Sequence, residues 1–220
     1  MPRYPPADFT YSGGAVLTTL NAGTTLWRVH HSLRAANQLK LEPPATFAGG
    51  RFDVTDRTHG YLYLSNDPGG AVAETFCRDL PFVPSTARIV RRNKLADLTL
   101  TPVTVTEPIT FVSLIGADAH HVGQDIWLTS SEPYDYPNTR MWAAAIRQWV
   151  PAADGLTYLA RNNQQHTSYV LYEHAAGSPT RPAVSRRLSA HNPGLPLDSP
   201  PGTALVKRIL EKHNATLASH

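Results

Sequence analysis

Apolar and polar residues alternate with a period of two in several short stretches of this chain, which predicts β-strands separated by turns. These stretches are residues 24–31, 61–65, 87–91, 98–105, 109–115, 156–160 and 168–173. Because successive side chains on a strand face opposite sides, the first stretch places Trp27 and Val29 on one face and Arg28 on the other.

Other stretches follow the 3.6-residue period of a helix. They are residues 69–79, 140–150 and 203–214. In the first, Glu74 lies on the face away from the apolar stripe, together with Ala71 and Arg78, and Pro81 ends the helix. Strands and helices alternate without a regular βαβ rhythm. We therefore expect an α+β fold with a mixed or antiparallel sheet.

The chain of 220 residues is long enough for one domain with a substantial core. Its apolar content of 41% and charged content of 17% are typical of a globular protein. Residues 1–23 are predicted to be an extended lead-in, and residues 24–173 the main domain. Residues 174–220 are predicted to be a proline-rich surface wrap and a terminal helix, with an oligomer contact as one role.

The charge and cysteine content exclude several classes of protein. The formal net charge is only +3, and no run of Lys and Arg is longer than the pair Arg91-Arg92, so direct binding of nucleic acid is not expected. No apolar run approaches the ~18 residues of a membrane span, and no signal-peptide core is present. Cys77 is the only cysteine, which favours a reducing compartment. We expect a soluble, cytoplasmic protein.

Common cofactor and metal motifs are missing from the sequence. No Gly-x-Gly-x-x-Gly follows a strand, and neither Gly-x-x-x-x-Gly-Lys-Ser/Thr nor Gly-x-Ser-x-Gly occurs. His30-His31 and His120-His121 are adjacent pairs whose side chains diverge, so no metal site is expected. Cys77 follows Phe76 on the amphipathic helix and is interpreted as a packing residue rather than a nucleophile.

Residues 49–76 carry the candidate chemistry. The turn Gly49-Gly50 allows close approach of the backbone and is followed at once by Arg51. The next strand presents Tyr61 and Tyr63 on one face, and the helix after it carries Glu74. The alternative for Glu74 is a surface ion pair with Arg78 at i,i+4, and each arginine could instead be an ordinary strand or loop residue.

Taken together, these side chains suit an anionic ligand with an aromatic ring, and we expect NAD. Two arginines, Arg28 and Arg51, would bind the pyrophosphate through their guanidinium forks. An aromatic side chain would stack on the base. A carboxylate would hold the ribose and stabilise the oxocarbenium-like centre as the glycosidic bond breaks.

The order of four segments resembles the RES domain family, which is named for an Arg, a Glu and a Ser. The segments are Leu-Trp-Arg-Val-His (26–30), Gly-Gly-Arg-Phe-Asp (49–53), Tyr-Leu-Tyr-Leu-Ser (61–65) and Ala-Val-Ala-Glu (71–74). Asp-Gly-Leu-Thr-Tyr-Leu-Ala-Arg (154–161) is similar to the C-terminal half of that family. The resemblance covers roughly residues 24–173.

The resemblance implies a function, a fold and a partner. Its members are mostly bacterial toxins of toxin–antitoxin pairs, which degrade NAD by hydrolysis or phosphorolysis. Their fold resembles that of ADP-ribosyltransferases, with a cleft between sheets. NAD would be substrate, with no true cofactor, and the partner would be a helix-turn-helix antitoxin, with a homo-oligomer also open. Arg28, Tyr63 and Glu74 are the implied catalytic residues, and the implied NAD-binding residues are Arg51, Gly49, Gly50, Tyr61 and Ser168.

One position departs from the family pattern. Ala160 stands where the family usually has serine, and Ser168 is the nearby candidate to replace it. A lost hydroxyl would remove about 0.5–1.5 kcal/mol of hydrogen bonding to the ligand. Two alternatives stay open at this point, namely a protein ADP-ribosyltransferase and a degenerate NAD-binding or interaction module.

Overall fold

A computed structural model gives the fold of the chain. It describes residues 3–5, 11–41, 48–78, 80, 86–161, 163–176 and 183–218. Pro81 and the linking residues 177–182 lie outside these ranges, so the predicted role of Pro81 in ending the first helix falls outside the described residues.

Within these ranges, one sheet contains nine strands: β1 (Leu17–Leu20), β2 (Thr25–His31), β3 (His59–Ser65), β5 (Leu98–Val105), β6 (Ile109–Ser113), β7 (Gly155–Ala160), β8 (Asn163–His174), β9 (Leu188–Ala190) and β10 (Leu195–Pro196). Their spatial order is β1-β6-β7-β8-β3-β2-β5-β10, with β9 also paired to β5. A separate parallel pair joins β4 (Ile89–Val90) and β11 (Thr216–Leu217). In the large sheet, β6 and β7 run parallel and the other pairs are antiparallel.

In the described part of the chain, four α-helices accompany the sheet: α1 (Pro68–Phe76), α2 (Trp127–Ser130), α3 (Tyr136–Trp149) and α4 (Pro200–Lys212). Helix α1 packs with α4 over one group of strands, and Val72 and Val206 are fully buried in the core between them. Helix α3 packs over β6, β7 and β8, where Trp142 and Ile146 are fully buried. The α+β fold and the mostly antiparallel sheet predicted from the sequence are therefore confirmed.

The sheet opens between β2 and β3. Strand β2 pairs with β5 along its whole length, whereas within the described residues it meets β3 at a single registered position, Trp27 opposite Ser65. On its other side, β3 pairs fully with β8. The two halves of the sheet therefore diverge at β2 and β3, and this opening is where the predicted cleft lies.

Several boundaries differ from the sequence prediction. Strand β5 has the predicted bounds, but α1 ends at Phe76 with Cys77 as its C-cap rather than near residue 79. Helix α3 begins at Tyr136, four residues before the predicted start. The segments predicted to flank the main domain also join its sheet, since β1 pairs with β6, and β9 and β10 pair with β5. Among the described residues, no helix combines the length and apolar character needed to cross a bilayer.

Candidate active site

A cavity of about 240 Å³ lies at the opening between β2 and β3 and is covered by α1. Three consecutive residues of each strand line it, which shows that the cavity borders the strand backbones where they diverge. The lining residues are Trp27, Arg28, Val29, Tyr63, Leu64, Ser65, Ala71, Glu74, Thr75, Arg78, Tyr158 and Ser168.

The floor of the cavity is one row of side chains across four neighbouring strands. Trp27 of β2 lies opposite Ser65 of β3, Ser65 lies opposite Ser168 of β8, and Ser168 lies opposite Tyr158 of β7. Residues directly opposite on antiparallel strands project from the same face of the sheet. The row therefore places two small hydroxyl side chains between two large aromatic ones.

Helix α1 forms the cover of the cavity. Asp67 is its N-cap, and the Asp67 carboxylate accepts hydrogen bonds from the N–H groups of Gly69 (2.7 Å) and Gly70 (3.2 Å). A side chain at Gly70 would collide with Ser65 and His166, so this glycine lets the helix approach the sheet rather than a ligand. The cavity face of α1 and the residues after it consists of Ala71, Glu74, Thr75 and Arg78.

Opposite charges therefore meet at the cavity. Glu74 and Arg78 lie one turn apart on the face that the sequence pattern predicted. Arg28 of β2 borders the cavity, but its side chain lies on the strand face opposite Trp27, where its Nη1 donates hydrogen bonds to the carbonyls of Ala36 and Gln38, both at 2.7 Å. Burial, with a smaller effect of Arg34, lowers the pKa of Arg28 to about 10, so Arg28 stays charged at neutral pH.

Tyr158 lies at the floor of the cavity among these charges. Its side chain is 1% exposed. Burial raises the pKa of Tyr158 well above 10, and the nearby Glu74 carboxylate adds to this, whereas Arg51 and Arg78 oppose it. Tyr158 is thus a neutral phenol at neutral pH, available as an aromatic wall and not as an anion.

Beside the cavity, the turn of residues 48–52 is held by side chains from several elements. Five consecutive backbone carbonyls each accept a side-chain hydrogen bond, which satisfies groups that no strand pairs. The donors, in the order of the carbonyls, are Arg140 Nη2 to Ala48, Arg78 Nη2 to Gly49 (3.2 Å), Arg140 Nε to Gly50 (3.1 Å), Thr139 Oγ1 to Arg51 (2.6 Å) and the Tyr172 hydroxyl to Phe52 (2.9 Å).

Tyr63 both lines the cavity and fixes this turn. Its hydroxyl donates to Asp53 Oδ1 at 2.7 Å and accepts from the Phe52 N–H at 3.0 Å. Burial and the Asp53 carboxylate raise the pKa of Tyr63 well above 10. The hydroxyl is therefore used inside the protein, and the Tyr63 ring is the part that faces the cavity.

Arg51 is not placed where the sequence analysis expected it. Its side chain is 2% exposed and does not line the cavity. Nε donates to Ser131 Oγ at 3.3 Å, Nη2 donates to the Ser131 carbonyl at 3.2 Å, and the guanidinium lies 5.4 Å from the Tyr136 ring centroid. The guanidinium is enclosed by α3 and the preceding residues, so its placement does not support the expectation that Arg51 reaches the phosphates, which stays a prediction.

Gly49, Gly50 and Tyr61 also lie outside the cavity lining. Gly49 adopts a φ of +86°, and a Cβ at Gly50 would lie 2.6 Å from both Asp53 Oδ1 and the Tyr63 hydroxyl oxygen. The glycine pair therefore allows close approach of the protein's own side chains. Tyr61 is 3% exposed and packs in the core with Tyr63 at its edge, 6.2 Å between ring centroids.

The structure places Ala160, predicted to stand at the family's serine position, away from the cavity. Ala160 is fully buried and does not line the cavity, so an alanine there removes no hydroxyl from the cavity wall. Ser65 and Ser168 provide the hydroxyls of the floor. Ser131, which the sequence analysis did not single out, contacts Arg51 through both its side chain and its carbonyl.

Arg78 was considered only as a surface partner of Glu74, although it lines the cavity and holds the turn. The sequence signal for a cavity position of Arg78 is its place on the same predicted helical face as Glu74. Tyr158 and Ser65 were missed because their cavity position depends on pairing between strands distant in sequence. Within the described ranges, no three His, Cys, Asp or Glu side chains converge in the way metal ligands do.

The role of the Tyr63 hydroxyl generates a testable prediction. Tyr63→Phe removes the donor to Asp53 and the acceptor for the Phe52 N–H while keeping the ring in the cavity. We expect the free energy of unfolding in urea to fall by about 1–3 kcal/mol, because a hydrogen bond to a carboxylate is lost and two groups are left unpaired. Unchanged stability together with lost ligand binding would instead assign the hydroxyl to the ligand.

Comparisons with known proteins agree with the fold and the family. The family model described as the RES domain matches residues 25–191. A chain in the crystal structure of the M. tuberculosis MbcT–MbcA toxin–antitoxin complex superposes with a TM-score of 0.55, at 16% sequence identity, over 87% of this chain and 91% of that chain. That likeness shows a shared fold. A comparison with curated proteins gives no match.

The matched region begins at β2 and ends after β9, so it contains every residue that lines the cavity. The resemblance found in the sequence ends at residue 173. The matched region continues for 18 more residues, to residue 191. The matched region covers well over half of the chain, which therefore belongs to the RES domain family.

Proposed function

We propose that this protein cleaves the bond between nicotinamide and ribose in NAD and acts as the toxin of a bacterial toxin–antitoxin pair. The observation that carries the proposal is Glu74, which lines a cavity together with aromatic side chains and the cationic Arg78. The cavity of about 240 Å³ is smaller than pockets that enclose a drug-sized ligand. We therefore expect it to hold the nicotinamide riboside end of NAD.

Glu74 has the charge that the reaction needs. As the bond from C1′ to the nicotinamide nitrogen breaks, its electron pair leaves with nicotinamide and positive charge develops on the ribose. A fixed carboxylate beside this centre stabilises it more than it stabilises the ground state. Water or inorganic phosphate then forms the new bond to C1′ and releases a proton. Nicotinamide leaves as a neutral molecule, so no strong general acid is required.

The cationic side chains suit the phosphate groups. A guanidinium binds phosphate oxygens through two parallel N–H donors. Arg78 follows α1 and lines the cavity four residues after Glu74, so we expect it to bind a phosphate group next to the ribose at Glu74. Arg28 borders the cavity from β2, with its guanidinium bound to the carbonyls of Ala36 and Gln38. Arg51 supports the site indirectly, since its carbonyl and guanidinium tie the turn to α3.

The proposed toxin role and partner rest on the family and on the neighbouring structure. The neighbour's chain is part of a complex described as a toxin–antitoxin complex. By analogy, we propose that a helix-turn-helix antitoxin binds this protein and that its target is the cytoplasmic NAD pool. NAD is the substrate in this proposal, and the reaction needs no additional cofactor.

The direct test is release of nicotinamide from NAD by the purified protein, with and without inorganic phosphate. We expect release in the wild type and a loss of kcat by about 10²–10³ in Glu74→Gln, because one group that stabilises the transition state is neutralised. The unfolding free energy should stay within about 0.5 kcal/mol, because Glu74 lies on a half-exposed helix face. Dependence on phosphate would identify phosphorolysis.

A matched control is Glu107→Gln, an exposed glutamate on the turn between β5 and β6, which should keep full activity. Full activity in Glu74→Gln would contradict the proposed role of Glu74. ADP-ribose found covalently on an added protein would instead identify the alternative, a protein ADP-ribosyltransferase. NAD binding without any nicotinamide release would identify a binding module.

The two candidate phosphate-binding arginines should behave differently. Arg78→Gln should raise KM for NAD about 10- to 100-fold, because a hydrogen bond between charged groups is worth about 1.5–3 kcal/mol. Arg51→Gln should mainly lower the free energy of unfolding, because the buried contacts to Ser131 and Tyr136 are lost. Steady-state kinetics and urea unfolding measure both. A large KM effect in Arg51→Gln at unchanged stability would restore the assignment made from the sequence.

A further inference from the structure

The two serines at the centre of the cavity floor form a slot between aromatic walls. Ser65 and Ser168 lie directly opposite each other on β3 and β8, and Trp27 and Tyr158 continue the row on either side. With neighbouring strands about 4.8 Å apart, the two aromatic residues are separated by roughly 14 Å at the backbone. The two central positions therefore carry small side chains, and Gly70 of α1 packs against Ser65.

The hydroxyls of this slot are poorly satisfied inside the protein. Ser168 is 2% exposed, and its Oγ has no hydrogen-bond partner in the part of the chain that the structure describes. Ser65 Oγ donates to the Thr167 carbonyl and accepts from the Asp67 N–H, each at the long distance of 3.4 Å. A buried polar group without a partner is rare in native proteins, which points to a ligand group that completes it.

The charged groups of the cavity lie elsewhere. Glu74 is on α1, which covers the slot, Arg78 lies just after this helix, and Arg28 is on β2 at the border of the slot. We therefore expect the ribose and the phosphates to bind on the helix side of the cavity. The floor would then bind an uncharged polar group on an aromatic ring. A hydroxyl can donate and accept at once, which matches a carboxamide with its N–H donors and carbonyl acceptor.

We propose that Ser65 and Ser168 bind the carboxamide of the nicotinamide ring and so make this site selective for a carboxamide-bearing nucleotide. The inference rests on the proposed function, because it names the part of NAD that the floor of the same cavity binds. We expect Ser168 to contribute more to binding than Ser65, because the Ser168 hydroxyl has no hydrogen-bond partner among the described residues. The serines position the leaving group, and the bond cleavage itself remains with Glu74.

The test compares binding of NAD with binding of ADP-ribose, which lacks only the nicotinamide. Calorimetric titrations use Glu74→Gln, to prevent turnover, and the double variant Glu74→Gln/Ser168→Ala. We expect the second substitution to weaken NAD binding about 3- to 10-fold, in line with one lost hydrogen bond, and to leave ADP-ribose binding unchanged. In the otherwise wild-type enzyme, Ser168→Ala should raise KM for NAD more than it lowers kcat.

Folding controls are available within the chain. Ser168→Ala removes an unpaired hydroxyl and should not lower the melting temperature. Ser113→Ala is the matched buried serine outside the cavity, where Oγ donates to Asp118 at 2.5 Å, and it should lower the melting temperature without changing the preference for NAD over ADP-ribose. Ser65→Ala is the second test variant and should also weaken NAD binding selectively.

The outcomes separate this inference from the proposed function. Equal weakening of NAD and ADP-ribose by Ser168→Ala, or no weakening of either, overturns the role of the serine pair while nicotinamide release by the wild type still supports NAD cleavage. Failure of the Glu74→Gln protein to bind NAD, together with no nicotinamide release by the wild type, overturns both. Selective loss of NAD affinity supports the inference.

Discussion

The hydrogen bonding of the turn at residues 48–52 is the constraint on which the site depends. A turn that packs inside a protein must satisfy its backbone groups, and here side chains of α3, of β8 and of the segment after α1 donate to five carbonyls in succession. Two cavity residues, Tyr63 and Arg78, are also bound to this turn. The wall of the cavity and the cover formed by α1 are thereby fixed to the same piece of backbone. Preorganisation of this kind is what a site needs if charge is to be stabilised in a transition state.

The opening between β2 and β3 supplies the space. A continuous antiparallel pairing would have closed the sheet at this point, but the two strands meet only at Trp27 and Ser65 among the described residues. Glu74 of α1 and Arg78 after it can then approach a ligand from the helix side of the opening. The cross-strand row adds aromatic walls and hydroxyls on one face. The proposed chemistry therefore depends on the gap between β2 and β3 as well as on the pairing of β3 with β8.

Local patterns in the sequence were sufficient for some of these features and not for others. Helical periodicity placed Glu74 and Arg78 on one face, and alternation placed Tyr61 and Tyr63 on one face of β3, because both patterns act over a few residues. The burial of Arg51 depends on Ser131 and Tyr136, about 80 residues later, and the position of Ser168 beside Ser65 depends on the register of distant strands. No local pattern encodes such contacts. The burial of Ala160 on β7 is likewise set by tertiary packing, and its match to the family's serine stays a prediction.

The central claim is that the cavity beneath α1 holds the nicotinamide riboside end of NAD with Glu74 at the ribose. A crystal structure of Glu74→Gln with NAD tests it most directly. The account predicts the nicotinamide ring between Trp27 and Tyr158, and the side chain of residue 74 within about 3 Å of a ribose hydroxyl. A dinucleotide bound away from this cavity, for example in the polar groove between Asp67, Gln164 and Lys212, would contradict it.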